Sequence, residues 1–184
     1  TEARRAFTES SNESPMREVF KRGLGFLSKT FVKKLSPLSA LFTASAAVDL
    51  LKRREISPLD LVDAAIARIE RVDPVVNALP IRNFDAARSA ARDFRRPTAD
   101  EASSPGWLAG LPIAVKDYND LAGTPTTYGS PIFKDNVAAR SDLTVANLER
   151  RGAIPLAKSN VPEFAGANTF NTVFGATRNP WNTS

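Results

Sequence analysis

Two short apolar runs, each followed by or ending in a lysine, constrain the fold of this chain more than any other feature. The first is Leu111–Lys116 (LPIAVK), and the second is Ala153–Ala157 (AIPLA), which Lys158 follows directly. Both have the length and composition of buried strands. The intervening residues 141–151 have the apolar spacing of an amphipathic helix. A strand, a helix and a strand in this order predict an α/β fold with a crossover between neighbouring strands.

Residues with strong positional preferences mark where other elements begin and end. Ser57-Pro58 predicts a helix start, with the serine as N-cap, and Asp73-Pro74 is expected to end that helix. Ser141 is expected to cap the later helix and Gly152 to end it. Residues 160–184 are rich in Asn, Thr, Gly and Pro, which predicts a segment that is mostly loop.

The positive charge of the chain is concentrated at its beginning. Of the net +5, residues 1–35 carry +4 and the remaining residues only +1. We interpret residues 1–35 as a basic extension, disordered or loosely helical, because residues 1–15 are polar and glycines interrupt the amphipathic spacing of residues 16–35. A near-neutral body without a base-reading motif predicts no nucleic-acid partner. No apolar run is long enough to predict a membrane span.

Two missing residue types narrow the chemistry. The chain has no Cys and no His, so it contains no thiol nucleophile, no Ser-His-Asp triad and no imidazole ligand for zinc. A general base in this chain would have to be a carboxylate or a lysine with a lowered pKa. The absence of Cys and of a credible export signal favours a cytoplasmic protein, with organellar targeting by residues 16–35 left open.

Lys116 and Lys158 are candidate functional residues because each comes at the carboxyl end of a predicted strand. In open α/β sheets this edge is where ligands bind. A lysine held against buried strands loses hydration, which lowers its pKa and lets it accept a proton from a serine hydroxyl. The competing interpretation is an ordinary lysine that extends into solvent at a strand end. The two residues alone leave both interpretations open.

Several segments of the chain follow one another in the order of a known enzyme family. They resemble the amidase signature family over about residues 40–184, and the first 35 residues fall outside the resemblance. Because several segments match, the resemblance is more specific than any single short motif. The matching segments are SPLDLVDAAIARIERVDPVVNAL, GLPIAVKDYNDLAGTPTTYGSPIF, SDLTVANLERRGAIPLAKSNVPEFA and FGATRNPWN.

The resemblance implies a fold, a reaction and three site residues. It implies the amidase signature fold, a mixed β-sheet flanked by helices in three α/β/α layers, of which this chain holds only the N-terminal part. The family hydrolyses carboxamides to a carboxylic acid and ammonia with a Ser–cis-Ser–Lys triad, without metal or organic cofactor. By the motif match, Lys116 would be the triad lysine. Asp117 and Asn160 lie in motif positions where they could order the site, or serve only as loop hydrogen-bonding groups.

The resemblance implies a glycine- and serine-rich segment soon after NPWN, which carries the bridging serine, and a nucleophilic serine further on. Both would come after Ser184. We therefore interpret residues 36–184 as the N-terminal portion of an amidase domain, truncated before that segment. Such a piece is expected to be inactive and poorly stable on its own.

The resemblance leaves other functions open. The expected partner is a small-molecule amide, and a homodimer of the full-length protein stays open. One alternative is the A subunit of a glutamyl-tRNA amidotransferase, which uses the same triad to release ammonia from glutamine. Another is a truncated, non-catalytic paralogue that acts as a binding or scaffold module.

Overall fold

The elements of the computed structural model follow the predicted order of strand, helix and strand. The structure describes residues 43–95, 97–166 and 168–183, so the basic extension predicted for residues 1–35 lies outside the described residues. The helices are α1 Ala44–Lys52, α2 Pro58–Val76, α3 Phe84–Arg92, α4 Ala99–Ser103 and α5 Leu143–Arg150, with 3₁₀ turns at Pro131–Phe133 and Glu163–Ala165. The strands are β1 Ile81–Arg82, β2 Pro112–Lys116, β3 Ile154–Ser159, β4 Phe170–Asn171 and β5 Gly175–Ala176.

The main sheet is mixed. Its three described strands lie in the order β1-β3-β2, with β2 parallel to β3 and β1 antiparallel to β3. Helix α5 lies between β2 and β3 along the chain, as expected for the crossover between parallel strands. The register shifts between Ile113 and Ala114, next to Pro155 of the central strand. Proline has no N–H to donate to a neighbouring strand, which accounts for an irregularity at this point.

Two apolar clusters join the helices to the sheet. Helix α2 packs against α3, and α3 contacts β3. Full burial of an aliphatic side chain contributes roughly 1.5–3 kcal/mol, so these contacts are a main source of stability. Within the described part of the chain, no helix has the length and apolar character needed to cross a bilayer. The first cluster contains Val62, Ile66, Ala87, Ala91, Ile154, Leu156 and Ala157, and the second contains Val115, Leu121 and Val145 with Ile113 packed against it.

The first helix boundary predicted from sequence is confirmed, and the second is wrong. Ser57 accepts a hydrogen bond from the backbone N–H of Asp60 at 3.1 Å, and the Asp60 carboxylate accepts one from the backbone N–H of Ser57 at 2.9 Å. This reciprocal capping box starts α2. The helix does not end at Asp73-Pro74 but continues to Val76. A proline in the last turn removes one hydrogen bond from the helix, and the chain turns only at Asn77, which is left-handed with φ 55°.

The structure corrects one further local prediction, the N-cap of α5. Ser141 is not the cap of α5: Asp142 holds the N-cap position, and the Ser141 hydroxyl accepts a hydrogen bond from Ala122 N instead. Gly152 does follow the helix, with φ 83°. Residues 160–184 are mostly loop, as predicted, and contain a short antiparallel pair, β4–β5. The error at Ser141 arises from a contact with a residue 19 positions away in the chain.

Candidate active site

Lys116 and Lys158 meet at one edge of the sheet but point to opposite faces. In the parallel pair β2–β3, Val115 lies opposite Lys158, and Lys116 lies opposite Ser159. Side chains alternate between the two faces of a strand, and directly opposed residues share a face. Lys158 therefore shares a face with Val115, whereas Lys116 projects from the other face with Ser159.

Lys158 is completely buried and fully hydrogen-bonded. Its Nζ donates to Asp117 Oδ1 at 2.9 Å, to the Pro125 carbonyl oxygen at 2.7 Å and to Thr126 Oγ1 at 2.6 Å. These three acceptors match the three donors of an ammonium group. Burial lowers the pKa of Lys158, while the hydrogen bond and charge of Asp117 act in the opposite direction. The geometry is that of a cation held in place.

Asp117 links this buried cation to the following loop. Its carboxylate is fully buried and accepts hydrogen bonds from Thr127 N at 3.2 Å and from Thr127 Oγ1 at 2.5 Å, besides the contact with Lys158. The Asp117 backbone is also held, because its N–H donates to Ser159 O and its carbonyl accepts from Tyr128 N, both at 3.2 Å. The part that Asp117 plays in catalysis stays a prediction.

Lys116 is exposed, in contrast to Lys158. Its Nζ lies 4.9 Å from the centroid of the Tyr118 ring, a cation–π distance. The Tyr118 hydroxyl donates to the Pro162 carbonyl and accepts from Ala165 N at 2.6 Å. Of the two candidate lysines, only Lys158 is desolvated by the described residues. The amine of Lys116 faces solvent, and its role as a base stays a prediction.

An aromatic cluster lies beside Tyr118. The Tyr128 ring centroid is 5.3 Å from that of Phe133 and 6.3 Å from that of Phe164, and the last two are 6.0 Å apart. Tyr128 and Phe164 have φ 53° and 45°, an uncommon and strained conformation for bulky side chains. Phe164 N donates to Tyr128 O at 3.0 Å, which holds the two strained residues together. Phe164 is also 57% exposed, so the cluster presents an apolar surface next to Pro162 and Ala165, whose backbones bond the Tyr118 hydroxyl.

Asn160 joins the end of β3 to the β4–β5 pair. Its side-chain oxygen accepts from Val161 N at 3.0 Å and from Asn171 Nδ2 at 2.7 Å. Its amide nitrogen donates to Gly175 O and to Thr177 Oγ1, each at 3.1 Å. The predicted alternative of loop hydrogen bonding describes these contacts, and a further part in ordering the reaction stays a prediction.

Sequence reasoning missed the residues that complete these networks. Thr126, Thr127 and Asn171 are all buried polar residues, yet each lies in a segment whose composition indicates only a loop. The one available signal was the clustering of hydroxyl and amide side chains in those loops, which is also typical of ordinary turns. Among residues 43–95, 97–166 and 168–183, no group of three or more His, Cys, Asp or Glu side chains could hold a metal ion.

Comparison with known proteins identifies the family to which the chain belongs. The family model described as Amidase matches residues 60–184, so the chain belongs to the amidase family. Both lysines and Asp117 lie within the matched region. The mixed α/β architecture predicted from the resemblance is confirmed by the solved structures that the chain resembles.

Three similar proteins illustrate the relationship. The glutamyl-tRNA(Gln) amidotransferase A subunit of Nitratidesulfovibrio vulgaris (strain DP4) is 43% identical over 150 residues, which cover 80% of this chain and 30% of that protein. A structure from a vestigial complex related to an s-triazine catabolic enzyme, with inhibitor bound, is 35% identical with a TM-score of 0.69, covering 77% of this chain and 31% of that one. A bacterial aryl acylamidase is 32% identical with a TM-score of 0.68, covering 77% and 30%. The chain thus spans about 30% of the length of these relatives.

Proposed function

We propose that this chain is part of a longer enzyme that hydrolyses carboxamides to a carboxylic acid and ammonia, with Lys116 as its base. The observation that carries the proposal is the contrast between the two lysines at the sheet edge. The three donors of Lys158 are occupied by acceptors on Asp117, Pro125 and Thr126. Among the described residues, the amine of Lys116 forms no hydrogen bond or ion pair and lies over the face of the Tyr118 ring. Lys116 therefore remains free to meet a serine hydroxyl.

The proposed mechanism is that of a Ser–cis-Ser–Lys triad, whose serines would lie outside this chain. The neutral amine of Lys116 accepts a proton from the bridging serine, which takes one from the nucleophilic serine. The nucleophile attacks the amide carbonyl, and backbone N–H groups stabilise the oxyanion of the tetrahedral intermediate. Breaking the C–N bond, with a proton returned to nitrogen, releases ammonia and leaves an acyl-enzyme that water hydrolyses. The steps need no metal or organic cofactor.

The substrate that we propose is a small or aryl carboxamide. The aromatic cluster of Tyr128, Phe133 and Phe164 supports an apolar substituent, because the exposed Phe164 ring lies between Pro162 and Ala165 in the chain, whose backbones bond the Tyr118 hydroxyl. The likeness to a bacterial aryl acylamidase supports the same class. We also propose that the enzyme is cytoplasmic.

A second candidate is the A subunit of a glutamyl-tRNA amidotransferase. The observation that favours it is the 43% identity to the corresponding protein of Nitratidesulfovibrio vulgaris. In that case the ammonia would come from glutamine and would be used by an assembly with B and C subunits. Co-purification with those subunits, together with glutamine-dependent amidation of glutamyl-tRNA, would favour this candidate over the stand-alone hydrolase.

The experiment that tests the proposal uses the full-length protein that contains this chain. Ammonia release from benzamide, propionamide and glutamine is measured for the parent protein and for Lys116→Met. We expect hydrolysis by the parent and loss of it in the variant. Lys134→Met, a matched change at an exposed lysine, should leave the rate unchanged. No hydrolysis of any amide by the parent, or full activity in Lys116→Met, would contradict the proposal and favour the non-catalytic binding module.

A further inference from the structure

We propose that Lys158 is a positioning residue for this reaction: a buried cation that locks Asp117 in place and so fixes the strand end from which Lys116 projects. The proposal rests on the proposed function of Lys116 as the base. It assigns no proton transfer to Lys158.

The register of β2 against β3 determines the face from which each lysine projects. Lys116 shares a face with Ser159, and Lys158 shares the opposite face with Val115. A shift of β2 against β3 by one residue would exchange the faces of their side chains. Keeping the Lys116 amine on its face therefore requires a strong lock on the β2–β3 register at the end of β2.

Asp117 is held in a way that supplies this lock. Its backbone N–H bonds Ser159 O of β3, and its backbone carbonyl accepts from Tyr128 N. Its carboxylate is held by Lys158 on one side and by Thr127 on the other. Since Asp117 follows Lys116 directly, the Lys116 main chain cannot move without breaking several of these bonds.

Lys158 is the group on which this arrangement depends. Its ammonium is the counter-ion of the Asp117 carboxylate, and both side chains are fully buried, with 0% exposure. The same ammonium also binds Pro125 O and Thr126 Oγ1, so it draws the loop that follows Asp117 onto the end of β3. Replacing a buried ion pair by apolar groups is often neutral for stability. Hydrogen bonds, however, are directional, whereas apolar packing lets neighbouring strands slide past one another. The Lys158–Asp117 pair therefore contributes mainly by fixing the position of the end of β2.

The test compares single and double variants in the full-length protein, with steady-state hydrolysis of benzamide and glutamine as the readout. Lys158→Met should lower kcat about 100-fold, the effect expected for a small misplacement of a reacting group, with little change in KM. The double variant Asp117→Asn with Lys158→Met leaves no unpaired buried charge. We expect it to recover thermal stability but not kcat. Asp63→Asn, which breaks the exposed pair with Arg88, is the matched control and should leave kcat unchanged. Parental kcat in the double variant would overturn the proposal.

A second readout does not depend on activity. The acetylation rate of the Lys116 amine by acetic anhydride, relative to that of Lys134, can be measured by peptide mass spectrometry in the same variants. We expect Lys158→Met and the double variant to change the relative rate of Lys116 by about threefold or more, since its surroundings change. An unchanged rate would overturn the positioning role. If Lys116→Met instead retains activity, the proposed function fails, while the acetylation rates still decide whether Lys158 positions Lys116.

Discussion

The ends of β2 and β3 begin from the same local pattern, a short apolar run followed by a lysine, and reach opposite environments. Lys116, at the end of β2, is exposed and lies against the face of Tyr118. Lys158, near the end of β3, is buried and ion-paired with Asp117 at 2.9 Å. The difference comes from the loop that carries Pro125 and Thr126, which folds over one lysine and leaves the other free. A lysine at a strand end is thus a candidate for two different roles, and its partners decide between them.

The strongest test of this contrast replaces each lysine by the same residue. In the full-length protein, Lys116→Met should lower kcat/KM by roughly 10²–10⁴-fold, the range for loss of a general base. The free energy of unfolding should change much less than in Lys158→Met, because Lys116 forms no buried ion pair with the described residues. Ammonia release and urea unfolding measure the two quantities. A large loss of stability with intact activity would reverse the assignment of the two lysines.

The same substitution at the other strand end should act on stability. Lys158→Met leaves the Asp117 carboxylate buried without its counter-ion, which we expect to lower the free energy of unfolding by about 3–5 kcal/mol. Adding Asp117→Asn should restore most of that loss. Urea unfolding of Lys158→Met, of the double variant and of Lys116→Met measures these free energies of unfolding. If Lys158→Met were as stable as Lys116→Met, the buried pair would be unimportant for the fold.

Asn160, two residues after Lys158, is a further buried polar group at the end of β3. Asn160→Ala removes contacts to Val161, Asn171, Gly175 and Thr177 and leaves buried polar groups without partners. We expect a loss of about 1–3 kcal/mol in the free energy of unfolding. Faster amide exchange in the β4–β5 pair should accompany it.

The exposed residue Thr172 of the same hairpin supplies the control for Asn160. Thr172→Ala should change the free energy of unfolding by no more than about 0.5 kcal/mol. If the two variants have the same stability and the same amide exchange, Asn160 does not anchor the hairpin.

The smallest effect is expected at an exposed ion pair, the counterpart of the buried one. The Arg95 guanidinium, with the backbone N–H of Thr98, lowers the pKa of Glu101 from 4.5 to about 2. A carboxylate with a lowered pKa stabilises the folded state fully above its unfolded pKa. That contribution is lost as the pH falls from 4.5 through about 2. Glu101→Gln should therefore slightly destabilise α4 at neutral pH, and the difference from the parent should vanish at the acid end of this range.

An NMR titration of the Glu101 carboxyl checks this prediction directly, and thermal unfolding at several pH values measures the difference in stability. A Glu101 pKa at its ordinary value would show that the pair with Arg95 does not form in solution. A stability difference as large as that of Lys158→Met would remove the distinction between exposed and buried pairs.

Local chemistry made part of the fold predictable. The Ser57 cap, the two apolar runs and the left-handed Gly152 depend on neighbours within a few residues, and the structure confirms each of them. The predictions that are wrong concern residues whose contacts lie farther away in the sequence. Helix α2 runs past Pro74 to Val76, and the next residue, Asn77, donates from its amide Nδ2 to the Phe174 carbonyl 97 positions away. Ser141 accepts a hydrogen bond from Ala122 N instead of capping its own helix.

By itself, the sequence determined the α/β class, the two lysine-bearing strand ends and the motifs of the amidase family, because these follow from residue order and short-range preference. Only the tertiary structure decided which lysine is buried. That choice depends on acceptors 32 and 33 positions away along the chain, at Thr126 and Pro125, and on the face to which each side chain points. Burial of a charge depends on the whole set of groups that replace water, and no local pattern specifies that set.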